Sequence, residues 1–266
     1  MLVQLLLIAV ILYIIICWMN RRQGTILTST TFFDFKKENH WDTFCKGIDS
    51  ILELHSKEDI ARINKWVIIN EWDANPRADW ATMITTRYPF IEFIQKEEKD
   101  KGQAKSLNMI LDIIAPYEYW IHWEEAWYAE TPFLGRAFHI MDTTPTSQLQ
   151  MTTTDGLIDW KNISTCHDEY CTVIQKQKGM AHYFNQSAYT VNWGKAIEYW
   201  PCYSLRPSIN RAAFYQKVGY FSTDPKLWPG RFEWEYGVRW YCANGIKSIL
   251  PDGPIRRKKS HVSTYH

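Results

Sequence analysis

The chain has 266 residues, a formal net charge of +1 and an aromatic content of 15%, including 14 Trp. This length is enough for one sizeable domain with its own core. The near-zero net charge excludes a long-range field of one sign and gives no reason to expect a nucleic-acid partner. Most of the Trp rings are expected to fill the core, although Trp faces also stack on sugar rings.

The N-terminal segment, residues 1–20, contains no charged residue, and its length suits a helix that crosses a bilayer. No basic residue precedes it and no small-residue cleavage site follows it, which favours a retained anchor over a signal peptide. Arg21 and Arg22 follow the segment, so the positive-inside rule favours a cytosolic domain on a single-pass membrane protein. A lumenal domain stays open, because Asn162 and Asn185 begin N-x-S triplets.

The rest of the chain, residues 21–266, is expected to form one domain in which strands and helices alternate. Strands are recognised from short apolar or alternating runs and helices from apolar residues repeated on one face. The predicted elements are a strand at 24–33, a helix at 43–54, strands at 66–70 and 90–94 with a helix at 80–84 between them, a helix at 104–114 and a strand at 119–123. This order predicts an α/β fold with a mostly parallel sheet flanked by helices.

The second half of the chain shows weaker patterns. Residues 126–200 are largely loop-like, apart from a strand that begins at Ser147. A helix is expected from Pro207 to Val218, another at 234–243 and a strand at 246–250. The six Cys include no C-x-x-C pair, which argues against zinc. A bridge between Cys166 and Cys171 and a pair of free thiols are equally consistent with the sequence.

Polar side chains follow two of the predicted strands at the point where each strand ends. Glu124 and Glu125 follow the strand at 119–123 within a cluster of aromatic rings, and Asn70 and Glu71 close the strand at 66–70. In open α/β sheets, ligands bind at the carboxyl ends of the strands. Because hard divalent cations need oxygen ligands, the carboxylate pair predicts a metal site at this edge of the sheet.

With these residues in place, the chain resembles nucleotide-sugar glycosyltransferases of the GT-A fold, closest to family 2. The resemblance covers roughly residues 25–265 and implies a Rossmann-type sheet. It departs from the family at Glu124-Glu125, which replace the usual DxD motif, and at Asn70-Glu71, which replace the usual Asp-Asp. The matching segments are 67–71, 102–108, 120–125, 205–211, 218–221 and 232–239.

The resemblance implies metal-dependent transfer of a sugar from a nucleotide-sugar donor to a hydroxyl of a glycan, lipid or protein acceptor. Glu233 lies six residues before Arg239, the family's spacing, and is implied as the general base of an inverting displacement, with Glu235 as its rival. A half at about 24–127 would bind the donor, and a half at about 128–266 would bind the acceptor.

The remaining implied site residues fall into three groups, each with a simpler structural alternative. The acid pair at 124–125 could form an exposed turn, and the residues at 70–71 could cap a loop. Lys105 and His261 could be solvated surface residues, and the Trp rings could pack in the core. The groups are Asn70, Glu71, Lys105 and Asn108 for the nucleotide; Glu124, Glu125 and His261 for Mn²⁺ or Mg²⁺; and Trp193, Trp200 and Trp234 for the acceptor.

Two other function classes stay open at this stage. A glycoside hydrolase would also use two carboxylates beside aromatic rings, and a non-catalytic carbohydrate-binding protein needs only the Trp-rich surface. The placement of the acids at strand ends, early in an α/β sheet, argues against the hydrolase. The number of carboxylates at matched positions argues against the binding protein.

Overall fold

The structure is a computed structural model that describes residues 23–33, 40–75, 78–153, 164–173, 203–227 and 231–258. It is a mixed α/β fold built on a nine-stranded sheet and a two-stranded sheet. The elements are β1 (Thr25–Thr31), α1 (His40–Leu54), α2 (Lys57–Ala61), β2 (Ile63–Asn70), α3 (Trp80–Arg87), β3 (Ile91–Gln95), α4 (Gln103–Ile113), β4 (Tyr119–Glu124), β5 (Trp127–Ala129), α5 (Leu134–Thr143), β6 (Gln148–Gln150), β7 (Ser164–Cys166), β8 (Cys171–Val173), β9 (Ser208–Arg211), α6 (Ala212–Val218), α7 (Arg231–Cys242), β10 (Lys247–Ile249) and β11 (Ile255–Arg257), with 3-10 turns at Glu98–Asp100 and Pro225–Leu227.

The large sheet has the strand order β3-β2-β1-β4-β9-β6-β10-β8-β7. β3, β2, β1 and β4 run parallel, and the register places Asn70 opposite Thr31 and Glu124 opposite Thr30. This half confirms the predicted parallel α/β pattern and brings the carboxyl ends of β1, β2 and β4 to one edge. Beyond β4, the sheet becomes mixed, because β9 pairs antiparallel with both β4 and β6. β5 and β11 form the separate antiparallel pair.

Two apolar clusters cover the two faces of the sheet, as expected when successive strand residues point to opposite sides. The first includes Leu27 of β1 and Ile121 of β4 and extends to α1, α3 and α5. The second includes Trp120 of β4 and Tyr236 of α7 and extends to α4 and α6. Glu124 lies four residues after Trp120, so the alternation of β4 aims it toward the face that α7 covers.

The prediction of a membrane-spanning helix and of a single-pass membrane location is corrected. Among the helices within the described ranges, none is long and apolar enough to cross a bilayer. Residues 1–20, on which the prediction rests, lie outside the described residues, as do Arg21 and Arg22.

In the second half of the chain, one element differs from the sequence expectation, and the pairing of two cysteines is settled. The chain at Ser208–Arg211 forms β9 before the helix begins at Ala212, because its backbone pairs with both β4 and β6. Cys166 and Cys171, which are partners in the β7–β8 register, form a disulfide.

Candidate functional site

Glu124 and Glu125 lie at the end of β4 and are held in different ways. Glu125 is buried, with 5% of its surface exposed. Glu124 is partly buried and accepts a hydrogen bond of 3.0 Å from Trp127 Nε1. Burial, and then repulsion by Glu125, raise the pKa of Glu124 to about 7. A nearby positive charge would therefore help to ionise Glu124.

Glu233 lies in the first turn of α7, and its carboxylate is fixed by the chain that leads into β9. Glu233 Oε1 accepts a hydrogen bond of 2.9 Å from the Leu205 backbone N–H. Burial raises the pKa of Glu233, while the Leu205 N–H, Arg206 and Lys247 act in the opposite direction. The charge of Glu233 also contributes to the raised pKa of Glu124. The structure thus brings the acid at the end of β4 and the acid of α7 into electrostatic range of each other.

Arg206 and Arg257 supply the positive charges beside these acids. Burial lowers the pKa of Arg206 to about 10, against the attraction of Glu233 and Glu124. Arg257 ends β11 of the small sheet, opposite Trp127 of β5, and it lowers the pKa of Glu124. Sequence reasoning gave Arg206 no role, although it lies in the matched segment 205–211, because its acidic partners Glu124 and Glu233 are distant in the chain.

Glu235 has a separate environment, although it lies only two residues from Glu233. It forms a two-pronged ion pair with Arg239, with distances of 2.6 Å to Nε and 2.9 Å to Nη2. Arg239 also donates to the backbone carbonyls of Val218 and Tyr220. Through Arg239, Glu235 therefore helps to fix the turn after α6 against α7.

A cavity of about 680 Å³ opens at the carboxyl ends of β1 and β2. Its walls include Phe32, Glu71, the chain at 101–105, the segment 222–225 and Phe232. Of the residues predicted to bind the nucleotide, Glu71 and Lys105 line it. Glu124 and Glu233 do not line it, but Phe232 precedes Glu233 directly in the chain. The cavity therefore adjoins the acidic site rather than containing it.

The two predicted amide residues have structural partners. Asn70 accepts a hydrogen bond from Thr31 Oγ1 at 3.0 Å and donates to Gln95 Oε1 at 2.9 Å, so it joins the ends of β1, β2 and β3. Asn108 donates to the Phe221 carbonyl at 3.0 Å and accepts from the Phe221 N–H at 2.7 Å. Asn108 thereby fixes α4 to the segment that forms the opposite wall of the cavity.

The other predicted residues are placed as follows. Lys105 is partly buried and hydrogen-bonds to the Lys99 carbonyl. Trp234 is buried, with 2% of its surface exposed, so it packs in the core and leaves no open ring face for an acceptor. Trp193, Trp200 and His261 lie outside the described residues. Within the part of the chain that the structure describes, no group of three or more His, Cys, Asp and Glu side chains is arranged to hold a metal ion.

Comparison with solved structures identifies the class of fold. S. aureus TarS 1-349 in complex with UDP-GlcNAc matches with a TM-score of 0.56 at 14% identity, over 92% of this chain and 62% of that one. The mannosyltransferase PcManGT from Pyrobaculum calidifontis, in complex with GDP-Man and Mn²⁺, matches with a TM-score of 0.56 at 12% identity, over 92% and 59%. GalNAc-T7 with UDP, GalNAc and Mn²⁺ matches with a TM-score of 0.54 at 10% identity, over 88% and 44%.

These similarities show a GT-A-like fold, as the sequence resemblance predicts. The chain spans less than two thirds of the length of each of these three structures. No protein-family model matches the sequence, and no curated protein matches it significantly.

Proposed function

We propose that the protein is a glycosyltransferase that moves a sugar from a nucleotide-sugar donor to an acceptor hydroxyl. The observation that carries the proposal is the cavity at the carboxyl ends of β1 and β2, which adjoins the acids Glu124 and Glu233 within a GT-A-like fold. Ligands of α/β sheets bind at this edge. Among the solved structures that share the fold are complexes with UDP, UDP-GlcNAc and GDP-Man.

The donor nucleotide is assigned to the cavity. Lys105 lies in its wall and supplies positive charge for the diphosphate, while Asn70, Glu71 and Asn108 shape the cavity through their hydrogen bonds. The donor half then covers about 24–127 and the acceptor half about 128–266. The 222–225 segment lies in the acceptor half and closes the donor cavity from the far side.

Glu233 is assigned as the general base. As the acceptor oxygen bonds to the anomeric carbon, its proton passes to the Glu233 carboxylate, and the bond from that carbon to the nucleotide diphosphate breaks. A single displacement of this kind inverts the anomeric centre. The Leu205 N–H orients the Glu233 carboxylate. The raised pKa of Glu233 makes it a better proton acceptor than an exposed glutamate. Glu235 is a poorer candidate because Arg239 binds both of its oxygens.

Glu124 and Glu125 are assigned to a divalent cation, Mn²⁺ or Mg²⁺. Two carboxylates fit such an ion, because Mg²⁺ is commonly bound by one or two carboxylates together with substrate phosphates and water. When bound, the cation would neutralise charge on the departing diphosphate. Arg206 and Arg257 share the same electrostatic task from the side of the protein.

A thermal-shift screen of the full chain tests the proposal. UDP, GDP and CMP sugars are each added with and without Mn²⁺, and binding to the native state raises the melting temperature. We expect a rise with one nucleotide class, and a larger rise when Mn²⁺ is present. A glycoside hydrolase predicts no response to nucleotide or metal. If no nucleotide sugar shifts the melting temperature under either condition, the proposal is wrong.

A further inference from the structure

Lys96 follows β3 and is a fully buried ammonium group. Its side chain is 0% exposed and lies 2.9 Å from Glu71 Oε1 and 3.0 Å from Glu71 Oε2. Its Nζ also donates to the Gly102 carbonyl at 3.0 Å and to Ser106 Oγ at 2.8 Å. A buried ammonium is tolerated when its three hydrogens have acceptors. Here those acceptors come from the end of β2 and from the start of α4.

The Glu71 carboxylate is held through both of its oxygens. Oε1 accepts from the Trp72 N–H at 3.1 Å and contacts Lys96, while Oε2 accepts from the Gly102 N–H at 3.1 Å and contacts Lys96. Two oxygens of an ionised carboxyl group offer about four lone-pair directions. Three of them accept the hydrogen bonds from the Trp72 N–H, the Gly102 N–H and Lys96 Nζ. The ion pair with Lys96 also covers Oε1, so the protein itself holds both oxygens of Glu71, although the residue lines the cavity.

The segment that this pair holds is the wall of the cavity. Gly102 is the N-cap residue directly before α4, and its φ of 116° is a left-handed conformation that favours glycine. No side chain caps the start of the helix. Lys96 donates a hydrogen bond to the Gly102 carbonyl, and Glu71 accepts one from the Gly102 N–H. The two side chains therefore fix both backbone polar groups of Gly102. The chain from Gly102 to Lys105 then lines the cavity.

We infer that Lys96 and Glu71 form a positioning pair, which sets the start of α4 in the geometry that the donor nucleotide needs and does not itself contact the nucleotide. The inference rests on the proposed function for the identity of the ligand. It assigns a role to Lys96, and it replaces a direct nucleotide contact by Glu71 with an indirect one.

The test compares three single variants of the full chain. Lys96→Met and Glu71→Gln each break the buried pair. Lys65→Met is the matched control, because Lys65 of β2 pairs with Glu92 of β3 at 2.7 Å, but this pair is partly exposed. Since an unpaired buried charge can prevent folding, the double variant Lys96→Met with Glu71→Gln removes both charges together.

Hydrogen exchange provides a readout that needs no ligand. Faster exchange of the amides at 102–107 is expected in Lys96→Met, Glu71→Gln and the double variant, and unchanged exchange in Lys65→Met. The second readout is calorimetric binding of UDP and of GDP with Mn²⁺. The dissociation constant of the nucleotide that binds is expected to rise by about tenfold or more in the same variants.

Kinetics separate positioning from a purely structural role. We expect KM for the nucleotide sugar to rise by about tenfold while kcat stays within about threefold, measured well below the melting temperature. Unchanged exchange at 102–107 would overturn the inference. So would a loss of binding in Glu71→Gln but not in Lys96→Met, which indicates direct contact by the carboxylate. If the wild type binds neither UDP nor GDP and no nucleotide sugar shifts its melting temperature, the proposed function fails, whereas the exchange experiment still decides whether the pair holds the start of α4.

Discussion

At the scale of single residues, two glutamates of α7 lie two positions apart and have different partners. Glu233 accepts one backbone hydrogen bond near the acid at the end of β4, whereas Glu235 is bound by Arg239. Glu233→Gln keeps the shape of the side chain but removes the proton acceptor. We therefore expect kcat to fall by about 10²–10⁴-fold with donor binding unchanged. Steady-state rates and calorimetry on the same preparation measure both.

Glu235→Gln is the matched control for this prediction. It weakens the ion pair with Arg239 at a partly exposed site, so a stability loss of about 1 kcal/mol or less is expected, with activity largely retained. A variant pair in which Glu235→Gln is inactive and Glu233→Gln is active would reverse the assignment.

The pH dependence of the wild-type activity also reports on Glu233, which must be ionised to accept a proton. Because burial raises the pKa of Glu233 above 4.5, we expect the activity to decline at a pH above 4.5 as the pH is lowered.

The acid pair at the end of β4 carries the prediction about the metal. Replacing Glu124 and Glu125 together by Ala removes both oxygen ligands proposed for the cation. We expect the extra thermal stabilisation by Mn²⁺ in the presence of nucleotide to disappear. Glu130→Ala is the control, because Glu130 follows the end of β5 that lies away from Arg257 and pairs with Arg256. Retention of the full Mn²⁺ effect in the double variant would exclude these carboxylates as ligands.

The sequence predicts some of these residues and not others for a physical reason. Glu124 and Glu233 stand out because a strand end and a fixed spacing to Arg239 are local patterns. Lys96 belongs to a charged run, 96–101, which by itself suggests a solvated turn, and its partner Glu71 lies 25 residues away. The acidic partners of Arg206 are also distant in the chain. Long-range pairing of charges decides these roles, and a local sequence pattern does not show such pairing.

At the scale of secondary-structure elements, His55 joins α1 to the start of α5. Its Nδ1 donates to the Ile51 carbonyl at 2.8 Å, and its Nε2 accepts from the Phe133 N–H at 2.9 Å. The acceptor role requires a neutral ring, and burial lowers the pKa of His55 below 6.5. This histidine therefore contributes stability that is fully present above pH 6.5 and is lost as the pH falls below that value.

The prediction is a pH-dependent free energy of unfolding, measured with urea at several pH values. We expect the stability of the wild type to decrease below pH 6.5. In His55→Gln we expect lower stability at neutral pH and a weaker pH dependence in the same window. His139→Gln, which changes an exposed histidine of α5, should leave the pH dependence as in the wild type. Equal pH dependence in wild type and His55→Gln would show that other groups carry it.

Element length decides which parts of the fold the sequence predicts. β1, β2 and β4 each have six to eight residues, which is long enough for an apolar run to be read. β9 has four residues and directly precedes α6, so the sequence suggests only a helix there. Its strand conformation comes from pairing with β4 and β6, which lie far away in the chain.

At the scale of the whole molecule, the parallel half and the mixed half of the sheet differ in how they are held together. The parallel half has two apolar faces covered by helices. The far edge consists of β10, β8 and β7, each of three residues, and the Cys166–Cys171 disulfide joins the last two. Such short strands bury little surface, so a covalent link contributes a larger share of their stability.

Removal of this disulfide tests that view. With a sequence separation of 5, the loop-closure model predicts a stabilisation of about 2 kcal/mol. We expect Cys166→Ser with Cys171→Ser to lower the melting temperature by a few degrees, and a reducing agent to lower that of the wild type equally. Cys242→Ser, which changes an exposed free cysteine of α7, is the control. Because β10 pairs with β8, we also expect faster hydrogen exchange at 247–249 in this variant. Lys247 of β10 lowers the pKa of Glu233, so this exchange links the edge of the sheet to the acidic site. Exchange confined to β7 and β8 would show that the edge hairpin frays independently of the acidic site.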